Sequence, residues 1–234
     1  MAELIRNNQP FVSTRGKDLK KLLVNLAVLA TLGSAATLTQ AQSIYGGIGV
    51  PGIYTLGYAH SMGASWGLRG DYAGGLNWSG SGTDNGVTYD STVKASRAGV
   101  YADWFPFGGG FRLVGGVTAN DMKVDINSVG SGTATINGKS VSMVGNYFNV
   151  HAKYPAATPY LGIGYGHQAG SKGLGFYFDL GVTLGSFTAD VDTNLVGQAG
   201  ITQADVDKQK QDMNDSLAGL KTLPSVSLGL RYNF

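Results

Sequence analysis

The chain contains no cysteine. Disulfides, thiolate metal sites and a thiol nucleophile are therefore excluded. Charge is also scarce, with Asp, Glu, Lys and Arg making up only 14% of 234 residues. Long apolar runs are nearly absent. The one clear run, Leu22 to Leu32, has about 11 residues, short of the roughly 20 that a spanning helix needs. No later run is better, so the sequence offers no membrane helix. Glycine, by contrast, is abundant at 37 residues, but without the three-residue period of collagen.

The apolar run has a different meaning in its context. Lys17, Lys20 and Lys21 precede it, and small residues follow as far as Thr39-Gln40-Ala41. A basic stretch, a short apolar core and a small-residue site are the parts of a secretory signal peptide. Residues 1–41 are therefore predicted to be a removed leader, with cleavage after Ala41 and Ala36 as the second choice. The leader takes five of the 17 basic and two of the 15 acidic residues, leaving 12 against 13. The basic balance belongs to the leader, and no charge argument remains for nucleic-acid binding.

Residues 42–234 carry a period of two almost from end to end. Ala98, Val100, Ala102 and Trp104 alternate with Arg97, Gly99, Tyr101 and Asp103. Leu161, Ile163 and Tyr165 alternate with glycines, and Leu174, Phe176, Phe178 and Leu180 with Gly175, Tyr177, Asp179 and Gly181. The pattern runs to the last residue: Val226, Leu228, Leu230, Tyr232 and Phe234 alternate with Ser225, Ser227, Gly229, Arg231 and Asn233. A soluble sandwich also alternates, but its polar face is rich in Lys, Glu and Thr. Here the polar set is glycine with sparse charge, and aromatics gather toward strand ends, at Trp66, Trp104, Tyr165, Tyr232 and Phe234. An apolar outer band, aromatic girdles and a polar interior form the pattern of a transmembrane β-barrel. A sheet in lipid must close to pair its backbone.

The connections alternate in length. Short ones fall at 60–65, 105–110 and 168–173, and long ones at 77–91, 128–156 and 190–222. If both chain ends lie on the short-turn side, the stretch 44–60 must cross twice, turning at Val50-Pro51-Gly52. The expectation is all-β: an eight-stranded antiparallel transmembrane β-barrel, an up-and-down meander. Its strands are placed at 43–50, 53–60, 65–77, 92–105, 110–126, 157–168, 173–189 and 223–234. In the last long loop, Thr202 and Asp205 have the spacing of a capping box, and Val206, Met213, Leu217 and Leu220 follow at helical intervals. A short helix over 203–220 is predicted there.

The stretches YADWFPFGGGFRLVGG (101–116), PYLGIGYG (159–166) and GFYFDLGV (175–182) resemble small outer-membrane β-barrels of Gram-negative bacteria, the class of OmpA-, OmpX- and OmpW-like proteins. The terminal strand ending in Tyr232-Asn233-Phe234 resembles the signal read by the barrel-assembly machinery. The resemblance covers roughly 44–234. It implies a bacterial outer-membrane location, contact with outer-membrane lipid and lipopolysaccharide, and a monomer. It carries over no catalytic residue.

The inward phase of the alternation collects seven charges: Arg69, Asp71, Arg97, Asp103, Arg112, Asp179 and Arg231. In a ring of eight strands the interior is just wide enough for side chains to fill. The charges then form a paired network that plugs the lumen, and the protein serves an envelope-structural or surface-interaction role without catalysis. The alternative is a narrow porin selecting small solutes. A third reading, a lipid-modifying enzyme, needs a Ser/His pair at the outer rim, where His151 with Ser140 or Ser142 is the candidate. Arg231 is expected to seek Asp103 or Asp179. Asp121, Asp125, Asp190 and Asp192 form either a solvated acidic rim or a weak cation-bridging cluster. No histidine has a ligand at metal spacing, and no cofactor motif is present. The GIGVPG stretch (47–52) lacks the helix that a dinucleotide fingerprint requires.

Overall fold

The computed structural model describes residues 42–168 and 172–234; the predicted leader lies outside the described residues. The described residues form twelve strands and one helix. The strands are β1 (Gln42–Val50), β2 (Tyr54–Ser61), β3 (Trp66–Asp84), β4 (Val87–Trp104), β5 (Phe111–Gly130), β6 (Thr133–Ile136), β7 (Lys139–Ser142), β8 (Phe148–Lys153), β9 (Ala157–Tyr165), β10 (Gly173–Leu184), β11 (Thr188–Thr193) and β12 (Thr222–Asn233). The helix, α1, spans Gln203–Ala218.

Eight strands close a ring in the order β1-β2-β3-β4-β5-β9-β10-β12, every neighbour antiparallel. Closure is by β1 against β12, from Ser43 opposite Asn233 to Val50 opposite Val226. β5 pairs β9 from Phe111 opposite Tyr165 to Ala119 opposite Ala157. The stretch 44–60 does form two strands, β1 and β2, with its turn at Pro51–Ile53. No helix among the described residues is long and apolar enough to cross a membrane.

The alternation decides which side chains point in. Along β4, Arg97, Gly99, Tyr101 and Asp103 are buried and Ala98, Val100, Ala102 and Trp104 exposed. In β12, Ser225, Ser227, Arg231 and Asn233 are buried, while Leu228, Leu230, Tyr232 and Phe234 are exposed. Outside the ring, apolar side chains stand open: Phe176 is 77% and Leu161 56% exposed.

The ring differs from expectation beyond its outer rim. The segment 77–91 is not a loop. β3 and β4 run on as a hairpin to Asp84 and Val87, turning on Asn85-Gly86, both at positive φ. The Asn-Gly pair favours the tight primed turn whose twist matches a hairpin. The segment 128–156 likewise holds the β6–β7 hairpin, turning on Asn137-Gly138, and then β8. β8 extends the sheet along the upper part of β5, and β11 pairs with β8. The strand predicted at 173–189 is therefore β10 followed by β11, and β9 stops at Tyr165 rather than residue 168.

α1 begins where the capping box places it. Thr202 accepts from the Asp205 amide, and the Asp205 carboxylate accepts from the Thr202 amide at 2.8 Å. It ends at Ala218 rather than 220. Val206 joins a separate apolar core outside the ring with Val87, Ile136, Val141, Met143, Leu195 and Ile201. Asn214 bonds both the amide and the carbonyl of Ala189, at 2.7 and 3.0 Å, and so covers the free edge of β11 as a strand would. The Asp205 carboxyl is held well below the usual carboxylate range, first by the Lys139 ammonium bonded to it at 2.6 Å. Together these contacts fold the long connections into a cap.

Candidate functional site

The inward charges converge in the half of the ring that carries the short turns. Arg69 on β3 donates from Nε to Asp103 on β4 at 3.2 Å. Its Nη1 donates to Asp179 on β10, across the ring, at 3.3 Å, and to Asp71 at 3.4 Å. Arg112 on β5 donates from Nη2 to Asp179 at 2.5 Å and from Nη1 to the Gly166 carbonyl at 2.6 Å, and its Nε lies 3.5 Å from Asp103. Tyr45 and Tyr101 donate their hydroxyls to Asp71 at 3.1 and 3.0 Å. Arg69 also stacks on the Tyr101 ring, 4.6 Å from its centroid. Arg112 is 0% exposed. A buried charge is tolerated when its partners satisfy it, and here two guanidiniums meet three carboxylates and two phenols.

Glycine makes this convergence possible. Gly164 on β9 is in register with both Asp179 and Arg112. Those side chains meet directly above it, and a Cβ at Gly164 would overlap the Asp179 carboxylate and crowd the Arg112 guanidinium. In the same way Tyr101 lies over Gly99 and Gly116, which have no room for a Cβ.

Two predicted members stand apart. Arg97 donates to Ser225 at 2.9 Å and faces the Tyr160 ring at 5.5 Å. Arg231 does not pair with Asp103 or Asp179; it donates to Gln168 at 3.3 Å. The register explains this. Arg231 stands opposite Gly175 on β10, four residues nearer the chain-end side than Asp179. Pattern reading assigned its face correctly but not its height.

Further inward side chains lie on either side of the charges. Ser43, Tyr45, His167 and Tyr177 pack at the short-turn end, where the Tyr45 and His167 rings are 4.5 Å apart. Beyond the charges Thr118 bonds Thr158, and Tyr154 donates to Thr183. Above them Ala95, Met122 and Tyr154 form an apolar layer with Leu76, Phe187 and Leu223. The inward tyrosines and this apolar layer were missed as site residues. The tyrosines were legible as large residues on the glycine face of the alternation.

The five aromatics of the expected girdle are all exposed and lie at the short-turn end. Trp66 and Trp104 are in register and stacked, with ring centroids 6.2 Å apart. Tyr165 stands opposite Phe111 and Phe178, and Tyr232 opposite Ile44 and Leu174.

At the other end, His151 bonds Asp125 at 2.7 Å. Ser140 and Ser142 lie on the β6–β7 hairpin and neither bonds His151, so the candidate Ser/His pair of the third reading does not form among the described residues. The rim acids pair singly, Asp121 with Lys123 and Asp190 with Lys210, both at 2.7 Å. Among the described residues no group of three or more His, Asp or Glu side chains is placed to hold a metal.

No family model matches the chain, and no curated protein matches it in sequence. Solved structures share its fold, two of them from Acinetobacter baumannii. Acinetobacter baumannii CarO2 superposes with a TM-score of 0.57 at 20% identity, over 85% of this chain and 100% of that one. Acinetobacter baumannii CarO superposes at 0.54 and 20% identity, over 82% of this chain and 97% of that one. At this identity the likeness is one of fold.

Proposed function

We propose that the chain is an integral outer-membrane protein. Its eight-stranded ring spans the bilayer as a barrel with a plugged lumen, and its folded cap faces outward in a structural or surface-interaction role rather than a catalytic one. The observation that carries this reading is the unbroken apolar exterior. In β5 the outward positions from Phe111 to Ala119 carry no charge, and neither do those of β9 from Ala157 to Tyr165. Nine residues rise about 30 Å along a strand, or about 23 Å along the axis at a tilt of roughly 40°. That is the height of the apolar band on barrels of this class. A water-soluble protein rarely leaves so large an apolar surface uncovered. Likeness to the two CarO structures supports the fold on which this reading rests.

The interior packing supports the plug. The cluster around Arg69, Arg112 and Asp179 crosses the ring from β3 to β10 and from β5 to β10, and tyrosine, threonine and apolar side chains lie on either side of it. Conductance in planar bilayers tests it. The wild-type chain is expected to give no steady current. A steady single-channel current from the wild type would replace the plug with a narrow channel.

A further inference from the structure

Beyond the apolar band the outer face of the sheet changes character. β4, β5 and β8 place Lys94 opposite Lys123, and Lys123 opposite Lys153. Asn77 on β3 and Thr188 on β11 continue the row at either side. The lysines are on the outward face and exposed. Adjacent strands are about 4.8 Å apart, so three cations stand abreast within roughly 10 Å.

Like charges directly opposite one another destabilise a sheet, and this chain does little to offset the row. Lys123 meets Asp121 at 2.7 Å, a carboxylate that is itself 68% exposed. Among the described residues Lys94 and Lys153 form no ion pair. Of the other nearby acids, Asp125 also acts on Lys123 but bonds His151, and Asp190 bonds Lys210. For Lys94 and Lys153 the missing counterpart is an anion from outside the chain.

The height of the row identifies the anion's source. Lys123 lies four residues past Ala119, where the uncharged exterior of β5 ends. That is about 10 Å above the band along the tilted strand, and a lysine stem bends back several ångströms toward the apolar edge. The ammonium groups therefore reach the headgroup layer. Below them Val100, Val117 and Pro159 form an in-register apolar strip against which acyl chains can lie.

We propose that Lys94, Lys123 and Lys153 form a binding site for the phosphate groups of lipopolysaccharide in the outer leaflet. The site rests on the membrane-spanning reading above. It takes a phosphorylated glycolipid rather than a soluble anion, because the row sits on the lipid-facing wall directly over the acyl strip.

The test uses the full chain refolded in detergent and measures binding of rough-type lipopolysaccharide. The comparison ligands are the same glycolipid stripped of phosphate, phosphatidylglycerol and inorganic phosphate. The triple variant Lys94→Gln/Lys123→Gln/Lys153→Gln is expected to lose roughly tenfold or more of the wild-type affinity. Single variants Lys94→Gln and Lys153→Gln should each lose severalfold. The variant Lys172→Gln/Lys208→Gln, which removes charge elsewhere, should bind as the wild type does. Unchanged affinity in the triple variant overturns the proposal. So does wild-type binding that ignores removal of the glycolipid's phosphates, or that is matched by phosphatidylglycerol or inorganic phosphate. The heat-dependent gel shift of a folded barrel is read on every sample. A triple variant that keeps the shift and loses lipopolysaccharide supports the site. A wild-type chain without any shift brings down the membrane reading, and the lysine site with it.

Discussion

Asp179→Ala is expected to destabilise the folded ring by about 3–5 kcal/mol, the cost of leaving a buried charge uncompensated. Asp179 is the acceptor that Arg112 and Arg69 share. Without it, Arg112 keeps one distant carboxylate, Asp103 at 3.5 Å, and the Gly166 carbonyl. Arg69 keeps Asp103 and Asp71, so three charges of one sign and two of the other become a balanced count in the wrong places. The measurement is the urea midpoint of the folded form in lipid vesicles, read by the gel shift. A midpoint within error of wild type would mean that the cluster contributes nothing to holding the ring together. Gly164→Ala probes the same point from the backbone side. Its methyl would enter the space where Asp179 and Arg112 meet, an overpacking worth about 1–3 kcal/mol.

The second large effect is expected on the outside. Leu161 is 56% exposed, and by register it sits midway along β9, opposite Gly115 and Val182. In a water-soluble protein, Arg at such a position would change stability by about 0.5 kcal/mol or less. If the band faces lipid, Leu161→Arg lies near the bilayer midplane and costs about 2–4 kcal/mol. Asn127→Arg, also outward on β5 but beyond the band, should be near neutral. Equal, small effects at both positions would place the band in water.

These expectations depend on which features were legible before the structure. Faces were legible almost everywhere, because a period of two leaves each residue only two choices. Phase alone predicts Arg97, Asp103, Arg112, Asp179 and Arg231 on the inward face, and all five are buried. Heights were not legible. Which inward charges meet depends on strand register and on crossing the ring, so Arg69 finding Asp179, 110 residues away, leaves no local trace. Arg231 shows the same limit from the other side, since its phase was right and its proposed partner wrong. The lysine row is a third case, being three single lysines until register sets them abreast.

The outer connections illustrate a different gap. Asp84-Asn85-Gly86 and Asn137-Gly138 are strong hairpin signals, but the flanking residues are polar and alternate weakly, so the stretches read as loops. The helix was legible because its capping box is a local device. Thr202 and Asp205 satisfy each other within one turn, and nothing distant was needed to see it. β8 and β11 carry no comparable signal. They are six residues each; β8 is a strand because β5 extends above the ring and offers it an edge, and β11 because β8 then offers the next one.

The central claim is that the odd-numbered residues of β5 from Phe111 to Ala119 face lipid while the even-numbered ones between them face a filled interior. The native chain has no cysteine, so a single introduced thiol gives an unambiguous label. Val117→Cys, Thr118→Cys and Asn127→Cys, each carrying an environment-sensitive fluorophore in reconstituted vesicles, read the three sides of the claim. The account predicts that the label at 117 is quenched by a lipid-phase quencher and not by an aqueous one. It predicts the reverse at 127, and poor labelling without unfolding at 118. Aqueous quenching at 117 equal to that at 127 would contradict it.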